Sequence, residues 1–194
     1  MSNDDIFLRA AKEDEEFLRQ LGQLMLRWSD VEIALFKVLR HYAGVTWPVA
    51  HALFSGTRAK AAMDFIVAIA DNTNMEKARR DDLEGVFSQI KAINTFRDFL
   101  VHHVDGSAKS FDDADPTTRY VTNRARTSRP SKAKIFLVGS AHIAAMAEDC
   151  IKCCFRLHPH MNAHTTTFGP DSEHGAGEEW KFTPPQPLQI RKVQ

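Results

Sequence analysis

Between positions 13 and 42 the apolar residues Phe17, Leu21, Leu24, Trp28, Val31, Leu35, Val38 and Tyr42 fall alternately four and three apart. That rhythm matches the 3.6-residue turn of an α-helix and persists through the whole segment, so a long amphipathic helix is the first commitment of this chain. A second row at Leu18, Met25 and Leu39 widens the buried face, and Glu32 occupies the position that completes this row. A face this broad suits a helix inside a bundle, whereas a two-stranded zipper uses a narrower seam. Gly44 follows the last apolar residue and ends the helix, because glycine accepts the left-handed conformation of a helix stop.

The rest of the chain repeats the theme. Trp47-Pro48 opens a second helical segment, where proline's missing N–H costs nothing. Ser55-Gly56 breaks that segment, and a piece over 57–70 carries Ala61, Phe65 and Ala68 in one row with Met63, Ile66 and Ile69 beside it. It stops in Asp71-Asn72-Thr73-Asn74, residues that favour turns. A third long helix runs over 75–104 with Leu83, Val86, Ile90, Ile93, Leu100 and Val104 in register and Phe87 and Val101 in the neighbouring row. Residues 105–118 read as an acidic loop. Two short strands at 119–122 and 134–138, separated by a turn around Ser128-Arg129-Pro130, form a hairpin. Ser140 caps a last helix over 140–157 with Ile143, Ala147, Cys150, Cys154 and Leu157 on its inner face. The expected fold is therefore mainly α: an up-down bundle of four to five helices, with a short β-hairpin before the last one. The domain covers 1–161. The stretch 162–194, rich in proline and glycine breakers, is an irregular tail that Trp180 and Phe182 can pin to the domain.

Charge narrows the function classes. The 194 residues carry 25 basic and 25 acidic side chains, so the chain lacks the net positive field of a dedicated nucleic-acid packer and any such contact must be local. No apolar run is long enough to span a bilayer, and the acidic start has no secretory character; the expected address is the cytoplasm, with no membrane partner. Cys150, Cys153 and Cys154 form no disulfide framework and read as reduced thiols.

The most informative positions are those where the third long helix turns polar. Arg97 stands in its main apolar row, Asn94 in the neighbouring one, and Asp98, His102 and His103 follow toward the helix end. An arginine in a core row must be paired or face a polar cavity, since burying its charge alone costs several kcal/mol, on the order of 3–5 when a pair is broken. Two readings stay open: Glu32 and Arg97 form a structural ion pair, or Arg97 faces a partly wet cleft with His102.

Arg97-Asp98-Phe99-Leu100-Val101-His102 resembles the signature of the HEPN superfamily, an arginine with a histidine a few residues beyond it, and His103 fits the same pattern with one more intervening residue. The long first helix with Trp28-Ser29-Asp30-Val31-Glu32 and the order of long helices are similar to that group over roughly 13–157. The resemblance implies a homodimer whose motif helices meet in composite sites of metal-independent RNA cleavage, with no cofactor. Arg97 with His102 or His103 is the catalytic pair it implies, supported by Glu32, Asn94 and Asp98. Imidazole can move the 2′-hydroxyl proton or protonate the leaving oxygen, and guanidinium can stabilise charge on the phosphorane. Inactive binding or scaffolding modules also occur in that superfamily, and an antitoxin or another protein is a further class of partner.

Two other constellations carry weight. From 116 to 147 the chain has no acid, while Arg119, Arg124, Arg126, Arg129, Lys132 and Lys134 supply positive charge with Tyr120 among them. Such a hairpin can grip RNA phosphates, or can use charge to keep its edge from aggregating. The cysteine cluster, with His158, His160 and His164 nearby, contains zinc-ligand chemistry, but its spacing within a helix favours thiols packed in a core and no metal.

Overall fold

In a computed structural model of the chain, residues 3–107, 118–122, 134–161, 168–169 and 179–188 are described, with the backbone alone for 3–14 and 103–107. The order is α1 (Asn3–Ala43), α2 (Trp47–Phe54), α3 (Ala59–Asn72), α4 (Lys77–His103), β1 (Val104–Ser107), β2 (Arg119–Thr122), β3 (Ile135–Val138), α5 (Ser140–Leu157) and a 3₁₀ turn at His158–Met161. The protein is mainly helical, with antiparallel strands before the last helix. No helix among the described residues is long and apolar enough to cross a membrane.

The punctuation expected from sequence falls into place. Gly44 adopts φ 64 after α1, and the Gly44 and Val45 amides close onto the His41 and Arg40 carbonyls, a Schellman ending. Asn74, at φ 50, does the same after α3, where the Met75 amide reaches the Ala70 carbonyl; asparagine tolerates the left-handed region better than most side chains. Three boundaries differ from expectation. α1 starts at Asn3, ahead of 13, because Ala10-Ala11-Lys12-Glu13 are strong helix formers that continue the helix without an apolar stripe. α5 takes its cap from Gly139, whose N–H donates to His142 Nδ1 at 3.2 Å, so Ser140 is already inside the helix. Val104–Ser107 is a strand and neither helix end nor loop: a β-branched valine and a glycine favour leaving the helix, and the segment gains a ladder with β2.

The sheet order is β1-β2-β3. The β2–β3 pairing is regular, with Arg119 opposite Val138 and Val121 opposite Phe136, whereas the β1–β2 register shifts between Val104↔Val121 and Ser107↔Arg119. Beyond the strands, the Leu188 amide donates to the Ile135 carbonyl at 2.7 Å.

The residues group into two compact units: Met1–Leu24, Ala92–Met146 and Phe182–Gln194 form one, Met25–Lys91 and Ala147–Lys181 the other. In the first, Phe17, Leu24, Ile93, Leu100, Val121, Val138, Ile143 and Met146 are buried. Phe96 meets Phe136 edge-on at 5.5 Å and Phe182 at 5.6 Å, so the expected pin from the tail is a core residue here. In the second, the α1 row Trp28, Val31, Leu35 and Val38 is buried, as are Met63 and Ile66 of α3, Leu83, Val86 and Ile90 of α4, and Cys150, Cys153 and Leu157 of α5.

Candidate functional site

On α4, Asn94, Arg97, Asp98, Val101 and His102 follow the three-and-four spacing of a single helix face. Arg97 Nη2 donates to Asn94 Oδ1 at 3.1 Å and to Asp98 Oδ1 at 2.5 Å. The Arg97 side chain is 18% exposed and that of Asp98 54%, and Val101 and His102 are exposed. Ile93, Phe96 and Leu100 turn the opposite way into the core. Arg97 therefore does not fill a gap in a buried row. It lies on the border between core and solvent, with its guanidinium oriented by neighbours one turn away and one residue away. That is how an arginine is kept ready for a planar anion with little loss of side-chain freedom on binding. The His103 side chain lies outside the described residues.

Glu32, expected in a buried row, is exposed: it sits one step round α1 from buried Val31, at the edge of the buried arc. It lines a groove of about 390 Å³ together with Ile33, Phe36, Trp47 and His51. Phe36 stacks on Trp47 at 5.8 Å, and the Arg40 guanidinium lies 4.6 Å from the centre of the Trp47 ring.

The hairpin cations divide. Arg119 is buried, with Nη1 donating to the Thr118 carbonyl at 3.0 Å and its guanidinium over the Phe17 ring at 5.4 Å. An arginine so placed serves the core and does not reach a surface phosphate, which corrects its assignment to an RNA grip. Tyr120 is half-buried and Lys134 exposed, while Arg124, Arg126, Arg129 and Lys132 lie outside the described residues. The cysteines are core thiols. Burial pushes Cys153 well above the ordinary thiol range and Cys154 up to about 11, so both stay protonated at neutral pH. Cys153, not Cys154, faces fully inward. His164 lies outside the described residues, and among those described no group of three His, Cys, Asp or Glu side chains is placed to hold a metal ion.

The most developed polar constellation is one that the sequence did not announce. Tyr42 Oη and His160 Nδ1 are 2.9 Å apart, His160 Nε2 and Asp82 Oδ2 2.8 Å, and Arg156 Nη2 donates to Asp82 Oδ1. The side chains of His160 and Asp82 are 0% and 3% exposed. Since Asp82 can only accept when ionised, Nε2 carries the imidazole proton and Nδ1 accepts from the Tyr42 hydroxyl. Burial lowers the His160 pKa against the opposing pull of Asp82, which keeps the ring neutral. Burial raises Tyr42 to about 12. For Asp82 burial acts upward, but the His160 and Arg156 hydrogen bonds and the Arg156 charge outweigh it, and the carboxyl is held below its usual range. Phe168 lies over this cluster, 4.8 Å from the His160 ring and 4.6 Å below the Arg79 guanidinium. Trp180 faces Arg156 at 5.3 Å.

Set against family models, curated proteins and solved structures, the chain finds no match in any of the three. The function rests on the side chains themselves. Of the residues singled out from sequence, Asn94, Arg97, Asp98 and His102 come together on one face, Glu32 lines the groove with Trp47, and Arg119 turns into the core. Tyr42, Asp82 and Arg156 were not singled out, and His160 was noted only beside the cysteines. A single polar residue at the end of an apolar row, as Tyr42 is, gave the only local signal.

Proposed function

We propose that this protein is a HEPN-like homodimer that acts on RNA in the cytoplasm, with the exposed α4 face as its site. The observation that carries the reading is the grouping of an oriented, partly open Arg97 with an exposed His102 on one helix face. In this reading the α4 faces of two subunits adjoin. His102, or His103 beside it, takes the 2′-hydroxyl proton and returns one to the leaving 5′-oxygen; Arg97 stabilises the charge on the phosphorane, and Asn94 and Asp98 hold Arg97 in register. No metal or cofactor enters this chemistry. A toxin whose partner is an antitoxin is the setting that such an activity would suit.

A second reading is an inactive interaction module, in which Glu32 and Arg97 pair structurally. It is favoured by the apolar side chains Ile33 and Trp47, exposed in the Glu32 groove. Purified protein, Arg97→Ala and His102→Ala, each checked for oligomeric state by light scattering, are incubated with mixed RNA in excess chelator. Chelator-resistant cleavage that falls at least a hundredfold in both variants is the expected result. A folded wild-type dimer that leaves the RNA intact removes the catalytic reading and leaves the module.

A further inference from the structure

Beside the buried Tyr42–His160–Asp82–Arg156 chain lies a cavity of about 410 Å³, lined by His41, Tyr42, Ile69, Met75, Glu76 and Arg79. It forms where the last turns of α1 and α3 approach the start of α4, and its position follows from the sequence punctuation: Gly44 and Asn74 end the two helices there. Helix ends with open carbonyls repel anions, but in both helices the turn amides cap carbonyls of the last turn, at Arg40, His41 and Ala70.

Its polar lining divides into donors and acceptors. Arg79 is half-buried, with its guanidinium seated on the Phe168 ring, and its charge is felt by His41, Tyr42 and His160 alike. His41 adds an imidazole to the lining; burial lowers its pKa, and the Arg79 and Arg40 charges act in the same direction, so it donates as a neutral ring. The Tyr42 hydroxyl gives its proton to His160, which is fixed in turn by Asp82, and accepts a hydrogen bond from Arg79, so one lone pair of Tyr42 Oη is left for the cavity. Glu76 is the acid in the lining and is exposed. The cavity thus pairs a cationic donor side with an anchored acceptor, and its volume suits a small molecule.

We infer that this cavity is a binding site for a small phosphorylated, hydroxyl-bearing molecule, with Arg79 and His41 on the phosphate and Tyr42 accepting from a ligand hydroxyl. A phosphate matches the site because guanidinium and imidazole together donate several charge-assisted hydrogen bonds to one oxyanion. The buried chain behind Tyr42 keeps its oxygen in place, so the acceptor needs no reorganisation on binding. The raised Tyr42 pKa makes this hydroxyl a hydrogen-bonding group at neutral pH and not a nucleophile. This inference stands apart from the α4 face and does not depend on RNA cleavage.

The probe is inorganic phosphate, titrated into the full-length protein at constant ionic strength and followed by calorimetry and amide NMR. Saturable binding with shifts at 41–42 and 75–79 is expected, with no such saturation by chloride. Arg79→Gln weakens the phosphate Kd at least tenfold, whereas Lys60→Gln, which removes an exposed charge elsewhere on the same unit, leaves it unchanged. Glu76→Gln removes the like charge from an exposed position and tightens binding severalfold, a sign that a damaged fold would not produce. Phosphate that binds no better than chloride, an Arg79→Gln protein that binds as tightly as wild type, or weaker binding by Glu76→Gln overturns the inference.

Discussion

Asp82→Ala tests the reasoning about the buried chain most directly. The carboxylate is 3% exposed and accepts from two donors that have little recourse to water: the Arg156 side chain is 12% exposed and that of His160 fully enclosed. Removing one partner of a buried ion pair leaves the other charge uncompensated and costs about 3–5 kcal/mol, and the orphaned imidazole N–H lies within that figure because the two losses share one acceptor. Set against a total stability of roughly 5–15 kcal/mol, the variant folds but is strongly weakened. Asp82→Asn keeps the shape and one acceptor oxygen but leaves the Arg156 charge uncompensated and turns its amide on a donor, so its cost stays in the same range, about 3–5 kcal/mol.

The assay is urea unfolding by circular dichroism at pH 7, repeated on the acid side. His160 has a folded pKa below its ordinary 6.5, so the unfolded chain takes up that proton more readily and stability falls as pH drops below 6.5. Asp82 is also held below its ordinary value, 3.8, and its contribution is present above that pH and lost as pH falls through the folded pKa. Wild type thus shows two acid steps. In Asp82→Ala the lower step at this site disappears, while the His160 step remains, since burial still disfavours the charged ring. A loss below about 1 kcal/mol at pH 7 would refute the claim that this carboxylate is the anchor of the cluster, since that is the range of an exposed pair.

Two further outcomes follow from the same packing. Tyr42 holds its proton in the folded state up to about pH 12 and releases it near 10 when unfolded, so stability declines from pH 10 upward by an amount on the order of 2 kcal/mol, and Tyr42→Phe flattens that alkaline limb in denaturant midpoints measured between pH 9 and 12. Phe182→Ala opens a hole beside Phe96 in a fully packed site and costs about 3–5 kcal/mol; limited proteolysis near 179–188 then becomes faster than in wild type, and unchanged proteolysis would show that Phe182 does not fasten this segment.

Much of the helical framework was legible because helix signals are local. The α1 row at Phe17, Leu24, Trp28, Val31, Leu35 and Val38 is buried as its spacing requires, and Gly44, Ser55-Gly56 and the Asp71–Asn74 cluster mark real breaks. The pattern misled where one helix face changes its neighbours along its length. Leu18 shares a row with Leu39, yet Leu18 is 62% exposed and Leu39 1%. Glu32 in that row was read as buried for the same reason. β1 was missed because a four-residue strand owes its existence to a partner distant in sequence, Val121, and not to any pattern of its own. Arg119 was read as a surface cation because alternation on a strand says which residues share a face but not which face is covered.

The buried chain was illegible for a deeper reason, and that reason bears on what the tail is for. Its bonds join positions 118, 78 and 74 residues apart, so each residue has no local counterpart to betray it. A similar arrangement recurs at Asp149, which is fully buried and accepts from Gln89 at 2.8 Å and from the Lys181 amide at 3.0 Å. In both places a carboxylate buried in the helical body lies beside tail residues that have no helix or strand to specify them: Phe168 covers His160, Trp180 covers Arg156, and Lys181 is bound through its backbone. An apolar patch would hold such a segment in many registers at nearly equal energy. A directed hydrogen bond narrows that choice: the Lys181 amide must point at Asp149, which Gln89 already holds from the other oxygen. Lys181 is therefore positioned by a polar contact of defined direction, while Phe168 and Trp180 are seated by their rings against Arg79, His160 and Arg156.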